Sequence, residues 1–303
     1  MSAGAWRYAL ASVAGTGHLE RGEPCQDASE CEVLAAQGGE AVLVAVTADG
    51  AGSARRGGDG AALACALWRD EMAALFAGGG AVADLTAEFA AAWLTRFRHE
   101  VGLRADAEAA LPRDFACTLL AAVVGEAGAA FVQLGDGAIV VAEADDADAY
   151  CWVFWPKRGE YENVTWFATD PAAAAQLDHA FVSRRVDEVA LFTDGLQRVA
   201  LHYASRTAHA PFFRPMFAPV RAATPGRAEG LSGALAAFLA SDAVNERTDD
   251  DKTLVLATRR GAGEPMADRP PSRPERPACP DEQPGEDEPG EQEEVLVRRR
   301  DGG

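Results

Sequence analysis

Lysine is almost missing from this chain: Lys157 and Lys252 are its only two among 303 residues, and 28 basic residues in all face 47 acidic ones, a formal charge of −19. Nucleic-acid backbones are bound by lysine and arginine displacing counterions, so this balance excludes a nucleic-acid partner. Clustered carboxylates attract divalent cations instead. The six cysteines form no Cys-x-x-Cys pair and have no histidine at zinc spacing, which excludes a structural zinc site and a redox motif. None begins a Cys-x5-Arg phosphate loop either, so a thiol nucleophile is excluded. No apolar run approaches the ~20 residues of a membrane-spanning helix, and the start, Met1 to Arg7, lacks the apolar stretch of a cleavable signal. Together with idle free thiols, this predicts a cytoplasmic protein without a membrane partner.

What is present is enough apolar sequence for one large core, since 48% of the residues are hydrophobic. From about Gly261 the composition turns to Pro, Glu, Asp, Gly and Arg, and Asp281 to Glu294 holds eight acids and no base. Such a segment buries too little to offset its ordering entropy. The chain therefore divides into a catalytic domain over 1–260 and an acidic, disordered tail over 261–303. The tail reads as solvated chain or as a docking arm for a basic partner.

Within the domain, β-prone runs recur at Tyr8–Val13, Ala41–Ala48, Cys117–Val124, Ala129–Leu134, Ala138–Glu143, Ala149–Trp155, Val164–Ala168, Val189–Thr193 and Thr253–Thr258. Gly, Asp or Pro separates most of them. Helical spacing of apolar residues predicts helices over Asp59–Phe76, Ala83–Val101 and Leu231–Ala240. Helices grouped after the third strand, instead of alternating with every strand, predict an α+β fold with antiparallel sheets covered by helices. Between Leu201 and Arg227, Pro211, Pro215, Pro219 and Pro225 interleave with Phe212, Phe213 and Phe217, which reads as a flap or as an aromatic cover on the core edge.

Five places end or begin an apolar run with Asp: Gln26-Asp27, Asp49-Gly50, Asp136-Gly137, Asp194-Gly195 and the triplet Asp249-Asp250-Asp251. A single Asp-Gly after a strand is usually a turn. Several at strand ends read either as a set of turns or as a hard-metal site, in which the sheet holds each carboxylate and glycine lets a carbonyl approach the ion. Mg²⁺ and Mn²⁺ prefer oxygen ligands and keep waters, so few carboxylates serve two or three ions.

Six segments, in order over residues 5–258, resemble the motifs of the type 2C metal-dependent protein phosphatases. They are His18 through Gly22-Glu23-Pro24-Cys25-Gln26-Asp27-Ala28, Val46-Thr47-Ala48-Asp49-Gly50-Ala51-Gly52, Phe115-Ala116-Cys117-Thr118-Leu119, Leu134-Gly135-Asp136-Gly137, Leu191-Phe192-Thr193-Asp194-Gly195-Leu196 and Asp250-Asp251-Lys252-Thr253. The resemblance implies a β-sandwich of two antiparallel sheets flanked by helices. It also implies a serine/threonine phosphatase, active on phosphoserine and phosphothreonine in proteins through direct attack of a water bridging two Mn²⁺ or Mg²⁺ ions. Carried over, Asp49, Asp194 and Asp250 hold one ion, and Asp49 with the Gly50 carbonyl holds the second. Asp27 and Gln26 act through bound waters, and Asp136 with Asp194 hosts a weaker third ion. A serine/threonine kinase or its targets are the implied partners.

Two departures stand out. Relatives carry a phosphate-binding Arg five residues before the first-motif Asp, where this chain has Gly22, so Arg21, Arg55 or Arg56 is expected in its place. A general-acid His two residues after the bridging Asp is replaced by Ala51, and His18 is the nearest candidate. The missing Arg keeps open an alternative, a phosphatase-fold regulatory or binding module. A haloacid-dehalogenase-type mechanism would need Asp-x-Asp closing an early strand, and Asp49-Gly50-Ala51 lacks the second Asp.

Overall fold

A computed structural model describes residues 4–143, 149–156 and 165–262. In chain order the strands are β1 (Arg7–Val13), β2 (Ala28–Ala35), β3 (Ala41–Ala48), β4 (Leu119–Val124), β5 (Ala129–Leu134), β6 (Ala138–Glu143), β7 (Tyr150–Trp152), β8 (Asp178–Val182), β9 (Val186–Phe192), β10 (Leu201–His202), β11 (Thr207–Ala208), β12 (Gly226–Arg227) and β13 (Lys252–Thr258). The α-helices are α1 (Thr16–Arg21), α2 (Gly57–Ala77), α3 (Ala87–Ala107), α4 (Gln197–Ala200), α5 (Ala210–Ala222), α6 (Glu229–Leu239) and α7 (Asp242–Asn245). One sheet runs β12-β1-β13-β9-β6-β7 and the other β2-β3-β4-β5-β8, while β10 and β11 form a small hairpin. Every pairing in the two sheets is antiparallel except the two-residue contact of β1 with β12.

Alternation along the strands sends each sheet's two faces to different cores. Leu43, Ala45, Leu120, Ile139, Leu191 and Val255 meet between the sheets. On the outer face of the five-stranded sheet, Val42, Val44 and Val46 pack against Trp68 and Met72 of α2 and Trp93 and Phe97 of α3. On the outer face of the six-stranded sheet, Val140, Phe192 and Leu254 pack under Phe213 and Phe217 of α5 and Leu235 of α6. The result is the four-layered αββα sandwich expected above. After β13, Arg259 and Arg260 stay buried, with Arg259 ion-paired to Asp187 and stacked over Trp6. The expected tail lies outside the described residues from 263 onward, as does Val164. No helix among the described residues is long and apolar enough to cross a membrane.

The structure corrects one expectation and decides between two others. Thr165–Ala168 is not a strand: the Thr165 hydroxyl and the Phe167 and Ala168 amides bond to Asp136, Asp170 and Cys117, leaving no ladder to form. Of the two readings of the Pro-rich stretch, the structure bears out the aromatic cover on the core and not the flap. After the β10–β11 hairpin it forms α5, whose Phe212, Phe213, Phe217 and Val220 are buried while Pro211, Pro215 and Pro219 are exposed. Prolines four residues apart share one helix face, here the exposed one, away from the buried phenylalanines. A flap tolerates truncation, but a core helix does not: Phe217→Ala is expected to cost about 3–5 kcal/mol of stability, read from the urea unfolding midpoint.

Five strands escaped the sequence pattern, the two-residue β10, β11 and β12 and the longer β2 and β8. Glu30 and Glu32 disguise β2, whose outward face meets Arg69 of α2 at 2.7 Å through Glu30. Asp178 and His179 begin β8, an edge strand with one partner.

Candidate metal centre

Strand register alone gathers the motifs at one end of the sandwich. Ala28 pairs with Ala48, so Asp27 and Asp49 leave neighbouring strands side by side. Ala138 and Leu254 both pair with Phe192, which brings the Asp136 hairpin and the approach to β13 up to Thr193-Asp194. A cleft of about 270 Å³ opens there, lined by Asp49, Asp136, Asp194, Asp249 and Asp250 together with Gly17, His18, Arg21, Ala51, Gly52, Thr165 and Phe167.

Neighbouring groups hold the backbone of Asp49 and the carboxylates of Asp27, Asp136 and Asp250. The Asp49 amide donates to Thr118 Oγ1 at 2.9 Å, and the Thr118 amide donates back to the Asp49 carbonyl at 2.8 Å. Gly50 follows where the first residue of α2 crosses so closely that a Cβ would stand 2.2 Å from the Gly57 carbonyl carbon, so only glycine fits. Asp27 is buried, and its Oδ2 accepts from Thr193 Oγ1 at 2.8 Å. That same Oγ1 accepts the Thr253 amide at 3.1 Å, so its single proton is committed to Asp27. Asp136 Oδ2 accepts from Thr165 Oγ1 at 2.8 Å, and Gln197 donates to its carbonyl. Asp250 Oδ1 accepts the Asp251 amide at 2.9 Å.

Crowding acids together in a desolvated cleft disfavours their charged forms. Burial first, then Asp136, Asp250 and Asp27, pushes the Asp194 carboxyl up to about 8. Burial raises Asp27 to about 7 against the pull of the Thr193 and Thr253 hydroxyls. Asp49 is held well above the carboxylate range by burial and by Asp27, Asp194, Asp250 and Asp136, and Asp250 is raised chiefly by burial. Asp27 Oδ1, Asp194 Oδ1 and Gln26 Oε1 are buried with no hydrogen-bond partner among the described residues. Unpaired buried oxygens and mutually repelling carboxylates are what hard divalent cations relieve, so this donor set fits Mn²⁺ or Mg²⁺. Among the described residues, no group of three or more His, Cys, Asp or Glu side chains comes close enough to enclose a single ion.

Of the expected phosphate ligands, Arg21 lines the cleft, with Nε bonded to Glu23 at 2.6 Å. Arg56 caps α2 and pairs with Glu108 and Asp59, and Arg55 is exposed. His18 is buried, lines the cleft and bonds through Nδ1 to Asp251. Residue-by-residue reading missed Thr165, which has no sequence signal, and the separate parts of Asp249 and Asp251, hidden inside an acidic triplet. It quoted Thr193 without its bond to Asp27.

The family model described as protein phosphatase 2C matches residues 14–240. "Serine/threonine-protein phosphatase 3" of Escherichia coli (strain K12) is 39% identical over 252 residues, covering 83% of this chain and 98% of that protein. Among solved structures, a bacterial serine phosphatase superposes with a TM-score of 0.55 at 16% identity, covering 84% of this chain and 98% of the other. The serine/threonine phosphatase Stp1 from Staphylococcus aureus gives 0.55 at 15% identity, covering 83% and 94%. At such identities the two structures speak for the fold alone.

Proposed function

Because the chain belongs to the protein phosphatase 2C family, we propose that it removes phosphate from phosphoserine and phosphothreonine in proteins, by direct attack of water and without a phosphoenzyme. The observation that carries this reading is the convergence of Asp49, Asp136, Asp194 and Asp250 on one cleft. Asp49, Asp194 and Asp250 would hold one divalent ion once drawn closer together than they stand here, Asp49 and the Gly50 carbonyl a second, and Asp136 with Asp194 a third. Bound there, such ions supply the lowered water pKa and the countercharge that phosphate-monoester hydrolysis needs. The chain's own residues supply the geometry: Thr118 fixes the Asp49 backbone, and Thr193 turns the unpartnered Asp27 Oδ1 away from its own bond. Arg21 stands at the cleft to take phosphoryl oxygens through its terminal nitrogens.

The regulatory-module alternative was motivated by the missing arginine at position 22. An arginine one residue away that lines the cleft weakens that motive. A serine/threonine kinase, or the proteins it phosphorylates, is the partner class this activity implies. The domain over 1–260 carries the proposed activity and the tail does not, and a chain ending at residue 262 is the form in which to check it.

The deciding experiment is phosphate release from a phosphothreonine peptide by the purified protein, with Mn²⁺ and with EDTA. Turnover that appears with Mn²⁺ and vanishes with EDTA supports the reading. A folded protein that binds Mn²⁺ and releases no phosphate overturns it in favour of the binding module. Thr193→Val, which removes the hydroxyl holding Asp27, is expected to weaken Mn²⁺ activation by about 10- to 100-fold, while Thr193→Ser retains it. A titration of activity against Mn²⁺ concentration reads the difference.

A further inference from the structure

The helix that carries Arg21 has almost nothing apolar to hold it in place. α1 is six residues long, far short of what is stable alone, and its only buried residue is His18. Leu19, the apolar residue that would ordinarily anchor such a helix, is 63% exposed. What fixes α1 is polar and comes chiefly from one residue. Asp251, 2% exposed, accepts the Gly15 amide and His18 Nδ1 on Oδ1, both at 2.7 Å, and the Gln26 amide on Oδ2 at 2.6 Å. A carboxylate holding these donors has no proton to offer, so His18 Nδ1 carries the hydrogen and donates. The Gly17 amide adds a bond to the Asp249 carbonyl at 2.9 Å. The backbones run so close that a Cβ on Gly15 would lie 2.2 Å from the Asp249 carbonyl oxygen. One carboxylate thus ties together the N-terminus of α1, its only inward side chain and the segment leading to Asp27.

We propose that the His18–Asp251 pair is a positioning device for Arg21, holding α1 so that the guanidinium stands over the carboxylate cleft and meets a phosphate there. This rests on the phosphatase reading for its substrate and on geometry for the rest. Arg21 lies three residues, just under one turn, after His18, and Gly22 in the left-handed conformation (φ 70°) closes the helix directly behind it. The Glu23 amide bonds back to the His18 carbonyl at 2.9 Å, and the Glu23 carboxylate holds Arg21 Nε. The position of the arginine is therefore set at one end by Glu23 and at the other by His18. His18 is a positioning residue here, and its effect passes through Arg21.

Calorimetric binding of inorganic phosphate to the full-length, Mn²⁺-loaded protein tests this, alongside KM and kcat on a phosphothreonine peptide. His18→Ala is expected to weaken phosphate binding and raise KM by roughly tenfold, the size of one lost charge-assisted bond, with kcat within about twofold. Arg21→Ala is expected to do the same. His18→Ala added to Arg21→Ala is expected to weaken phosphate no further, because a residue acting through another has no effect once the other is gone. His18→Asn, whose Nδ2–H can occupy the place of Nδ1–H, is expected to stay near wild type and guards against a simple folding defect. An undiminished His18→Ala effect in the Arg21→Ala background overturns the proposal, as do a fall in kcat at constant KM and a His18→Asn no better than His18→Ala. Unchanged phosphate affinity in Arg21→Ala also overturns it, while Mn²⁺-dependent phosphate release by the wild type would leave the phosphatase reading standing.

Discussion

Asp49→Asn is expected to fold normally and to release phosphate from a phosphothreonine peptide at least on the order of 10²–10³ times more slowly than the wild type. The two hydrogen bonds that hold this residue run through its backbone to Thr118. The substitution leaves them intact and removes only the carboxylate charge facing Asp194, Asp250 and Asp136. Losing an acid from a crowd of acids relieves repulsion, so the melting midpoint in EDTA is expected to equal or exceed that of the wild type. The rise in midpoint on adding Mn²⁺ is expected to shrink sharply. A variant with lost activity and an unchanged Mn²⁺ shift would place Asp49 outside the metal site, and retained full activity would remove it from catalysis altogether. Measuring both quantities separates a ligand from a residue that merely supports the fold.

Without cations, the protein is expected to lose stability as pH rises, by on the order of 10 °C in melting midpoint between pH 5 and pH 8. The sign follows from the direction of the shifts. Asp27 and Asp194 are raised to about 7 and about 8 in the folded state, against an unfolded value near 4. Between those limits the folded chain keeps protons that the unfolded chain has released. Stability therefore falls as pH climbs from about 4 and levels off above about 8, where both states are ionised. Saturating Mn²⁺ should flatten or reverse the slope, because the cation binds the ionised carboxylates of the folded state. Melting curves in EDTA and in Mn²⁺ at several pH values provide the check. A flat or rising EDTA curve over this range would mean that the carboxylates are not crowded as described.

These two results depend on different amounts of structure. Motif order pointed to Asp49, Asp136, Asp194 and Asp250 as one set, and the structure lines one cleft with these four; Asp27, directly ahead of β2, reaches the same end only through a strand pairing that the sequence did not reveal. The long helices α2 and α3 were legible from apolar spacing, with α3 starting at Ala87 instead of Ala83. Helix α5 was not, because proline normally ends a helix and local reading has no means of seeing that three prolines four residues apart share a face turned to water. Strand β2 was hidden by Glu30 and Glu32, whose polar side chains are accounted for by Arg69 on a helix that arrives decades of residues later in the chain.

By itself the sequence determined an α+β fold through apolar periodicity, and the resemblance carried by its ordered motifs implied the phosphatase class and the layered sandwich, since both signals are carried by consecutive residues. Tertiary structure decided which polar groups serve those acids. Lys252, written directly after the acidic triplet, proves to be buried with its ammonium on Asn245 at 2.8 Å, and Asp251 turns inward to gather Gly15, His18 and Gln26. Thr193 reaches Asp27 across 166 positions of sequence. Hydrogen bonds of this kind need donor and acceptor within about 3 Å, and segments so far apart in the chain come that close only when the two sheets have packed.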